Sequence, residues 1–384
     1  MAIGYIASSD FPQGNWHNLY IHLPFCASKC GYCAFYSQSG CGTELRGRYL
    51  KAVRDFLLKC SFPEALQSVY LGGGTPNFLT AQELDALFED IVKIVPLSSD
   101  CEISCELNPE CMTENKLSVL NTYATRLSLG VQSFDSQVRQ TLMRRCSNDC
   151  LQRALDILSK RTAKHFNIDL IYGISQVPWS VFERDLTLAL DQGVDHLSCY
   201  ALTPEENSDL GLDAPADDDS AADWYCNIEN FLAEHGIHRY EISNYARTGC
   251  ECRHNMNVWS GDTLLGVGAS AAGFDGKDRY SFKSDIEEFI KAQPYLPDYT
   301  DGALRMLEIF AIKLRTSEGW QVDQWNKRYP DSWDKIKKLC LRASWRRPAW
   351  WHVSNEKINL TDDGMLFWDD IAMEVLDWVE EFEI

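Results

Sequence analysis

The chain has 384 residues, enough for two to three domains of about 150 residues each, and 45% of its residues are apolar, so it can build packed cores. The 56 acidic residues outnumber the 36 basic ones and leave a formal charge of −20, which argues against a general nucleic-acid binder. The 15 cysteines follow no recognisable secretory leader, so we expect reduced thiols and a cytoplasmic location. Charges interrupt every apolar stretch well before the roughly 20 residues that cross a bilayer.

Six short β-type runs alternate with helical segments in the first half of the chain, which predicts a parallel sheet covered by helices. Such a sheet either winds open or curls into a barrel, and in both cases the functional groups gather at the carboxyl ends of the strands. The six predicted strands are Asn18 to Leu23, Ser68 to Leu71, Glu102 to Glu106, Arg126 to Leu129, Phe166 to Ile171 and His196 to Tyr200.

The segment between the second and third predicted strands has the apolar spacing of an amphipathic helix, from Thr80 to Val95. Thr80 and Glu83 have the spacing of a capping box, which fixes where this helix begins. The residues expected to share its buried face are Leu84, Leu87, Phe88, Ile91, Val92 and Val95.

The second half of the chain begins with an acidic stretch, Pro204 to Asp223, which leads into a helix predicted from about Ser220 to Glu234. Proline and tyrosine residues interrupt the pattern near 293–300, before a predicted helix from Asp301 to Leu314. Two strands, Trp350 to Val353 and Lys357 to Leu360, and a helix from Asp362 then follow, like the end of a winged helix. The predicted units are an extension (1–17), a core (18–240), a connecting segment (241–300) and a C-terminal domain (301–384).

Three cysteines follow the first predicted strand within eight residues, at positions 26, 30 and 33. Cys26, Cys30 and Cys33 can hold three irons of a 4Fe-4S cluster and leave the fourth iron open for an exchangeable ligand. Structural zinc is the alternative, and it needs a fourth donor such as Cys41 or His22. The spacing therefore predicts a metal centre, with the cluster as the first choice.

This Cys-x3-Cys-x2-Cys loop is similar to that of the radical S-adenosylmethionine superfamily, and the remaining motifs resemble the HemN/HemW family of oxygen-independent coproporphyrinogen dehydrogenases and heme chaperones. In chain order these motifs read YIHLPF (20–25), LGGGTP (71–76), ELNP (106–109), SLGVQSF (128–134) and DLIYG (169–173). The resemblance implies an α/β fold with a partial (β/α)6 barrel and a small C-terminal winged-helix-like α+β domain. It also implies a 4Fe-4S cluster and S-adenosylmethionine as cofactors.

The resemblance further implies which side chains contact S-adenosylmethionine. The glycine turn at 72–74 would meet the methionine amino group, and Glu106 would meet the ribose hydroxyls. The alternatives are a tight turn for the glycines, a solvated strand end for Glu106, and core packing for Tyr20 and Tyr32. The full predicted set is Tyr20, Tyr32, Gly73, Gly74, Thr75, Glu106, Gln132, Arg144, Asp169, Ala201 and Ala272.

A further motif, RHNMNVW at 253–259, resembles the HNxxYW motif associated with heme binding in the chaperone branch, with Val258 in place of the tyrosine. Neutral imidazole is a good axial ligand for heme iron, so His254 is the candidate. The alternative is a hydrogen-bonded loop histidine. Cys250 and Cys252 add soft donors or are simply reduced thiols.

Phe35 separates the two branches of the family, because the decarboxylating enzyme has a fourth cysteine two residues after the third. The chain therefore resembles the heme chaperones, although Cys146 and Ala272 replace two family histidines and the turn at 173–176 lacks the family proline. The implied partners are heme, a heme-acceptor protein and an electron donor, with no nucleic acid. A homodimer and a membrane-associated acceptor are both compatible with this function.

Two other functions stay open at this point. One is a radical enzyme that acts on a tetrapyrrole and turns over S-adenosylmethionine, and the other is a structural relative without a cluster. Heme propionates on so acidic a chain need local basic groups. The candidates are Arg144, Arg145 and Arg253.

Overall fold

The computed structural model describes residues 5, 11, 14–203, 210, 218–300 and 302–382. Most of the predicted extension at 1–17, the acidic stretch from Pro204 up to Asp217, apart from Leu210, and Asp301, where a helix is predicted to begin, lie outside the described residues. In the part of the chain that is described, no helix is both long and apolar enough to span a membrane.

All six predicted strands are confirmed, and several extend by a few residues beyond the predicted limits. The first strand begins and ends at the predicted residues, Asn18 and Leu23. The strands are β1 (Asn18–Leu23), β2 (Phe25–Cys26), β3 (Gln38–Ser39), β4 (Leu66–Gly73), β5 (Leu97–Leu107), β6 (Arg126–Gln132), β7 (His165–Tyr172), β8 (His196–Ala201), β9 (His238–Glu241), β10 (Asn244–Ala246), β11 (Leu264–Val267), β12 (Ala272–Phe274), β13 (Arg279–Phe282), β14 (Tyr295–Asp298), β15 (Trp320–Gln321), β16 (Trp351–Val353) and β17 (Lys357–Leu360).

The structure describes fifteen α-helices, and the earlier ones make the crossover connections that successive parallel strands require. The helices are α1 (Thr43–Leu57), α2 (Ala81–Ile94), α3 (Glu114–Tyr123), α4 (Ser136–Thr141), α5 (Asn148–Leu158), α6 (Trp179–Asp191), α7 (Asp218–Ala233), α8 (Arg253–Trp259), α9 (Ile286–Ala292), α10 (Gly302–Lys313), α11 (Val322–Arg328), α12 (Trp333–Arg346), α13 (Asp362–Leu366), α14 (Trp368–Leu376) and α15 (Val379–Phe382).

Within the described residues, the main sheet has the order β14-β13-β12-β11-β1-β4-β5-β6-β7-β8-β10-β9. The strands from β11 through β1 to β8 are parallel to their neighbours, and the strands beyond them are antiparallel. The order does not close on itself, so the sheet is the expected partial barrel of six strand-helix units with added edge strands. The segment 241–300, predicted as a connection, supplies the parallel strand β11 and four of the antiparallel strands, β10, β12, β13 and β14.

The two faces of the parallel strands differ in polarity. Alternate side chains on one face are apolar and fully buried beneath the helices, as with Leu127, Leu129 and Ile168. On the other face polar side chains bond one another across strands: Asn167 Nδ2 donates to Ser128 Oγ at 2.7 Å and to Ser198 Oγ at 3.0 Å. Because successive side chains of a strand point to opposite faces, the polar residues of these strands lie together on the concave face of the sheet.

Helix α2 confirms the predicted capping box, since the Thr80 hydroxyl accepts from Glu83 N at 3.2 Å and the Glu83 carboxylate accepts from Thr80 N at 2.8 Å. One detail of its predicted face is wrong: Val92 is 42% exposed. Val92 lies about 80° around the helix from Leu84, at the edge of the apolar stripe, beyond the area that the sheet covers.

The C-terminal domain has its own core around Phe310, Trp325 and Ile336, built on a three-stranded sheet of order β15-β17-β16. Its long helix α10 and the predicted pair β16 and β17 are confirmed. Phe274 of the main sheet packs into the same core, so the domain is fastened to the edge of the barrel.

Candidate functional site

A cavity of about 460 Å³ opens at the carboxyl ends of the parallel strands. Of the fifteen site residues predicted from sequence, twelve line it, although they come from loops spread over nearly 180 residues. These twelve are Cys26, Cys30, Tyr32, Cys33, Gly73, Gly74, Thr75, Glu106, Gln132, Arg144, Asp169 and Ala201.

The three loop cysteines are free thiols, with Cys26 buried and the other two half-buried. A turn in which Cys33 N donates to Cys30 O at 3.2 Å shapes the loop, and Gly31 N donates to Leu142 O to hold it against the end of α4. Cys26 Sγ lies 3.5 Å from the Thr75 hydroxyl at the end of β4. The loop is therefore held between the first two barrel strands and α4, with its thiols facing the cavity.

The donor arrangement argues against a single zinc ion at the thiol loop. One zinc ion brings its sulfur ligands to roughly 3.8 Å from one another. In the described residues the thiols of the loop do not form a set with every pair of sulfurs within 4.8 Å. The suggested fourth zinc donors are also engaged, because both ring nitrogens of His22 bond other groups and the Cys41 thiol donates to Gln38 O. Three thiols on one short loop are the donor set that a 4Fe-4S cluster uses, with each thiolate on a separate iron.

Arg144 lies beside the thiol loop and is 8% exposed. Its Nη1 lies 3.5 Å from Cys30 Sγ and 3.4 Å from the Tyr32 hydroxyl, and its Nη2 donates to Gly130 O. Its Nε is buried and has no partner within the described protein. Because buried donors are nearly always paired, this N–H is available to an acceptor on a bound ligand.

Two carboxyl groups face one another across the cavity. Glu106 accepts from the Tyr70 hydroxyl at 2.9 Å and from Gly73 N at 3.2 Å. Burial, and next the nearby Asp169 carboxylate, raise the pKa of Glu106 to about 7. Burial likewise raises the pKa of Asp169, which accepts from Ser128 Oγ and Asn167 Nδ2. Ligand hydroxyl or ammonium groups that donate to these oxygens would stabilise their charged forms.

Gln132 has a backbone conformation that is unusual for a residue with a side chain. It ends β6 with φ of +70°, and the pairing with β7 shifts register between Gly130 and Gln132. Such a bulge redirects the strand end, and strained backbone of this kind concentrates at functional sites. The bulge places Gln132 on the cavity wall, next to Arg144.

Close packing explains why the turn at the end of β4 has glycine at positions 73 and 74. A Cβ on Gly74 would lie 2.9 Å from backbone atoms of Leu23 and Phe25, and one on Gly73 would lie 2.7 Å from the His22 ring. Gly73 also has φ of +107°, which favours glycine. The turn is tight because it packs against the end of β1, and the same packing brings the Gly73 and Gly74 backbone to the cavity wall.

Three predicted positions lie outside the cavity lining. Ala272 is exposed at the start of β12, and Tyr20 lies deeper in the barrel with its hydroxyl 3.0 Å from His22 Nδ1. His254 is 5% exposed at the floor of the barrel, where its Nδ1 lies 2.8 Å from Ser68 Oγ and its ring packs 5.0 Å from Tyr70. Burial lowers the pKa of His254 to about 4, so the imidazole is neutral near pH 7.

Thirteen further described residues line the cavity without having been predicted as site residues, and two of them, Asn108 and Tyr200, carry polar groups on opposite sides. Asn108, in the quoted ELNP motif, lines the cavity directly after β5. Tyr200, on the same face of β8 as Ser198, lines the opposite side and is 43% exposed. The two-residue period of β8 was the available signal for Tyr200, since Ser198 already marks the polar face.

A cysteine loop after the first strand of an open parallel barrel, facing carboxylates at the ends of the next strands, defines a radical S-adenosylmethionine protein. The profile of that family, described as the Radical SAM superfamily, matches residues 20–189. The chain is 35% identical over 280 residues to "Heme chaperone HemW" of Mycobacterium tuberculosis (strain ATCC 25618 / H37Rv), covering 70% of this chain and 72% of the relative. It is 28% identical over 360 residues to "Heme chaperone HemW" of Lactococcus lactis, covering 91% and 94%.

The fold comparison agrees with these relatives. The Escherichia coli structure "Coproporphyrinogen III oxidase (HemN) from Escherichia coli is a Radical SAM enzyme" superposes with a TM-score of 0.80 at 18% identity, covering 96% of this chain and 91% of the other. The chain therefore belongs to the HemN/HemW family of radical S-adenosylmethionine proteins, with HemW relatives along most of its length.

Proposed function

We propose that this protein is a heme chaperone that holds a 4Fe-4S cluster and S-adenosylmethionine, binds heme and passes it to an acceptor protein. The observation that carries the proposal is the similarity to proteins named heme chaperones along up to 91% of the chain. Phe35, at the place where the decarboxylating enzyme has its additional cysteine, supports the same choice and is 67% exposed at the cavity.

Different cavity residues would bind the cluster and the S-adenosylmethionine, as their chemistry indicates. Cys26, Cys30 and Cys33 would hold the cluster, and Arg144 would offset the charge of the thiolates while its Nε meets an acceptor on the second cofactor. Glu106 would accept from ribose hydroxyls. Together the two cofactors supply one-electron reductive cleavage of a sulfonium.

Heme binding near the cavity mouth would use apolar rings and a nearby cation. Phe35 and Tyr200 are exposed large side chains on the cavity lining, which suit a porphyrin face. Of the three arginines suggested by sequence, Arg144 is buried at the thiol loop and Arg253 binds the Asp100 carboxylate at 3.0 Å. Arg145 is not part of the cavity lining but follows the lining residue Arg144 in the chain; it is exposed and, among the described residues, forms no ion pair, so it is the arginine left for a propionate.

The proposal that His254 ligates heme iron has a geometric condition. His254 lies one layer below Glu106, with Tyr70 between them, since the Tyr70 ring packs on His254 and its hydroxyl bonds Glu106. Helix α8 would have to move away from β4 before iron could reach this imidazole. If His254 is the axial ligand, His254→Ala should change the Soret and visible absorption bands of bound heme. Unchanged bands would exclude His254 as the ligand.

The decisive experiment is heme titration of the anaerobically reconstituted protein, followed by its Soret band, together with an assay for 5′-deoxyadenosine. We expect stoichiometric heme binding, transfer of heme to an apo-hemoprotein, and no sustained cofactor cleavage. Cys33→Ser should lose iron, whereas Cys60→Ser, which removes a half-buried thiol outside the cavity, should keep it. Unchanged iron in Cys33→Ser would overturn the cluster assignment.

A radical enzyme acting on a tetrapyrrole is the second candidate, favoured by one observation: the cavity retains the whole predicted cofactor-contacting set except Tyr20 and Ala272. Multiple turnovers of 5′-deoxyadenosine with an altered porphyrin product would establish this enzyme and refute the chaperone. Heme binding without turnover would do the reverse.

A further inference from the structure

A second group of metal-ligating side chains lies at the opposite end of the barrel from the cavity. His165 is the first residue of β7, Asp195 directly precedes β8, and Cys250 follows β10. Their ligand atoms, one imidazole nitrogen, one carboxylate oxygen and one sulfur, all lie within 4.8 Å of one another. Within the described ranges, they are the one group of three or more such side chains that meets this condition.

Each of the three side chains is held in place by its neighbours. His165 Nδ1 lies 2.7 Å from Asp195 Oδ2, and Asp195 Oδ1 accepts from Phe166 N at 3.0 Å. The side chains of His165 and Asp195 are 10% and 20% exposed, and Cys250 is half-buried, so the group is sheltered but open to solvent. Such restricted side chains lose little freedom when they bind an ion.

The backbone around Cys250 is a defined turn. Cys250 N donates to Arg247 O at 2.9 Å, and Gly249 has φ of +81°, as a type II turn requires. Arg247 N in turn donates to Asp195 O, so the turn is tied to the start of β8. Arg126 Nη2 donates to the carbonyl oxygens of Cys250 and Glu251 at 2.9 and 3.0 Å.

Cys250 and Cys252 are close in sequence but their thiols have different partners. Cys252 is buried, and its Sγ lies 3.5 Å from Glu102 Oε1, whereas the Cys250 thiol hydrogen-bonds Asp195. The charge of Arg126 is balanced by Glu102, whose carboxylate it meets at 2.9 Å. A Cys250 thiolate and the Asp195 carboxylate would together match the charge of one divalent cation.

We propose that His165, Asp195 and Cys250 form a binding site for zinc or a similar thiophilic divalent cation, with water as the fourth ligand. One nitrogen, one oxygen and one sulfur are ligands that zinc prefers, and three protein ligands with an open position form a recognised zinc arrangement. The 2.7 Å separation of His165 Nδ1 and Asp195 Oδ2 has to open to about 3.3 Å for both atoms to reach one ion. The Cys250 proton leaves to solvent as the sulfur binds the cation.

An ion at this site would fasten the 247–252 turn to the amino-terminal ends of β7 and β8. The turn leads directly into α8, which closes the floor of the barrel and donates His254 N to Glu102 Oε1 at 3.1 Å. Bound zinc would therefore stabilise the floor of the barrel without touching the cavity at its other end.

The test uses the cluster-loaded protein, so that the cavity thiols are already occupied, equilibrated with buffered submicromolar free zinc. We expect one equivalent of zinc per chain, a higher melting temperature than in its absence, and a zinc-edge X-ray absorption spectrum with one sulfur near 2.3 Å and three nitrogen or oxygen ligands near 2.0 Å, roughly the usual bond lengths. Cys250→Ser and His165→Asn should lose the equivalent and keep their iron. The matched control Cys226→Ser, which removes an exposed thiol, should keep it.

Three results would overturn the site. These are no retained zinc in the cluster-loaded protein, equal zinc in Cys250→Ser and Cys226→Ser, or a spectrum with several sulfurs, which would place the ion at the Cys26 loop. If Cys250→Ser does not fold, the His165→Asn variant and the wild-type spectrum decide the matter.

Discussion

Removal of the Glu106 charge gives the sharpest test of the cavity electrostatics. The Glu106 pKa is raised to about 7 from an ordinary value of 4.5, with burial as the main cause and Asp169 as the second. The unfolded chain therefore ionises near pH 4.5, while the folded, ligand-free protein holds its proton until near pH 7. Stability that is fully present below pH 4.5 is lost as the pH rises to 7, because ionising Glu106 in the folded state costs free energy.

The magnitude follows from the same two values. Their difference corresponds to roughly 3 kcal/mol at 1.36 kcal/mol per pH unit. Water in the cavity reaches part of the carboxyl group and screens its charge, so we expect about 1 to 2 kcal/mol. Glu106→Gln has no such charge. The free energy of unfolding of the variant, measured relative to that of the wild type, should therefore rise by about 1 to 2 kcal/mol between pH 5 and pH 8. The loss of the hydrogen bonds to Tyr70 and Gly73 adds a constant difference that does not change with pH.

The assay is urea unfolding of both proteins without cluster or S-adenosylmethionine, at pH 5, 6, 7 and 8. Infrared difference spectra of the two proteins should also show a protonated carboxyl band that disappears near pH 7. Glu183→Gln, which removes an exposed carboxylate on α6, is the control for surface charge. A constant stability difference between wild type and Glu106→Gln across this range would show that the pKa of Glu106 is not raised in the folded protein.

Three further predictions concern the packing and polar groups around the cavity and at the floor of the barrel. Arg144→Lys should reduce iron retention and weaken S-adenosylmethionine binding by about 1.5 to 3 kcal/mol, as iron analysis and calorimetry would show, and an unaffected variant would contradict its role. Gly74→Ala should cost about 1 to 3 kcal/mol in urea unfolding, whereas Gly47→Ala, in α1 with open space around it, should gain about 0.5 to 1 kcal/mol; equal effects would disprove the close-packing argument. The wild type should lose stability as the pH falls from 6.5 towards 4, because unfolding frees His254 to take up a proton, and His254→Ala should lack that part of the loss.

Much of the cavity could be predicted because its residues are close to recognisable chain features. Cys26, Gly74 and Asp169 each fall at or near the end of a strand that local apolar alternation reveals. Parallel strands bring their carboxyl ends to one edge, so strand prediction indicated where the site would lie, and the family resemblance selected the residues there. The orientation of Gln132 was not predictable in this way, since it depends on a register shift between β6 and β7.

Local patterns were enough to predict the six parallel strands, the capped helix α2 and the edge of the sheet that holds the cavity, because helix and strand periods, caps and cysteine spacing are local properties. Only the tertiary structure decided which distant side chains meet. It set Glu106 against Asp169, buried His254 at the barrel floor, and brought Cys250 to His165 and Asp195. Those meetings depend on strand register and on the path of loops between residues as far apart as Ser68 and His254, which are 186 positions apart in the chain, and no local pattern encodes either.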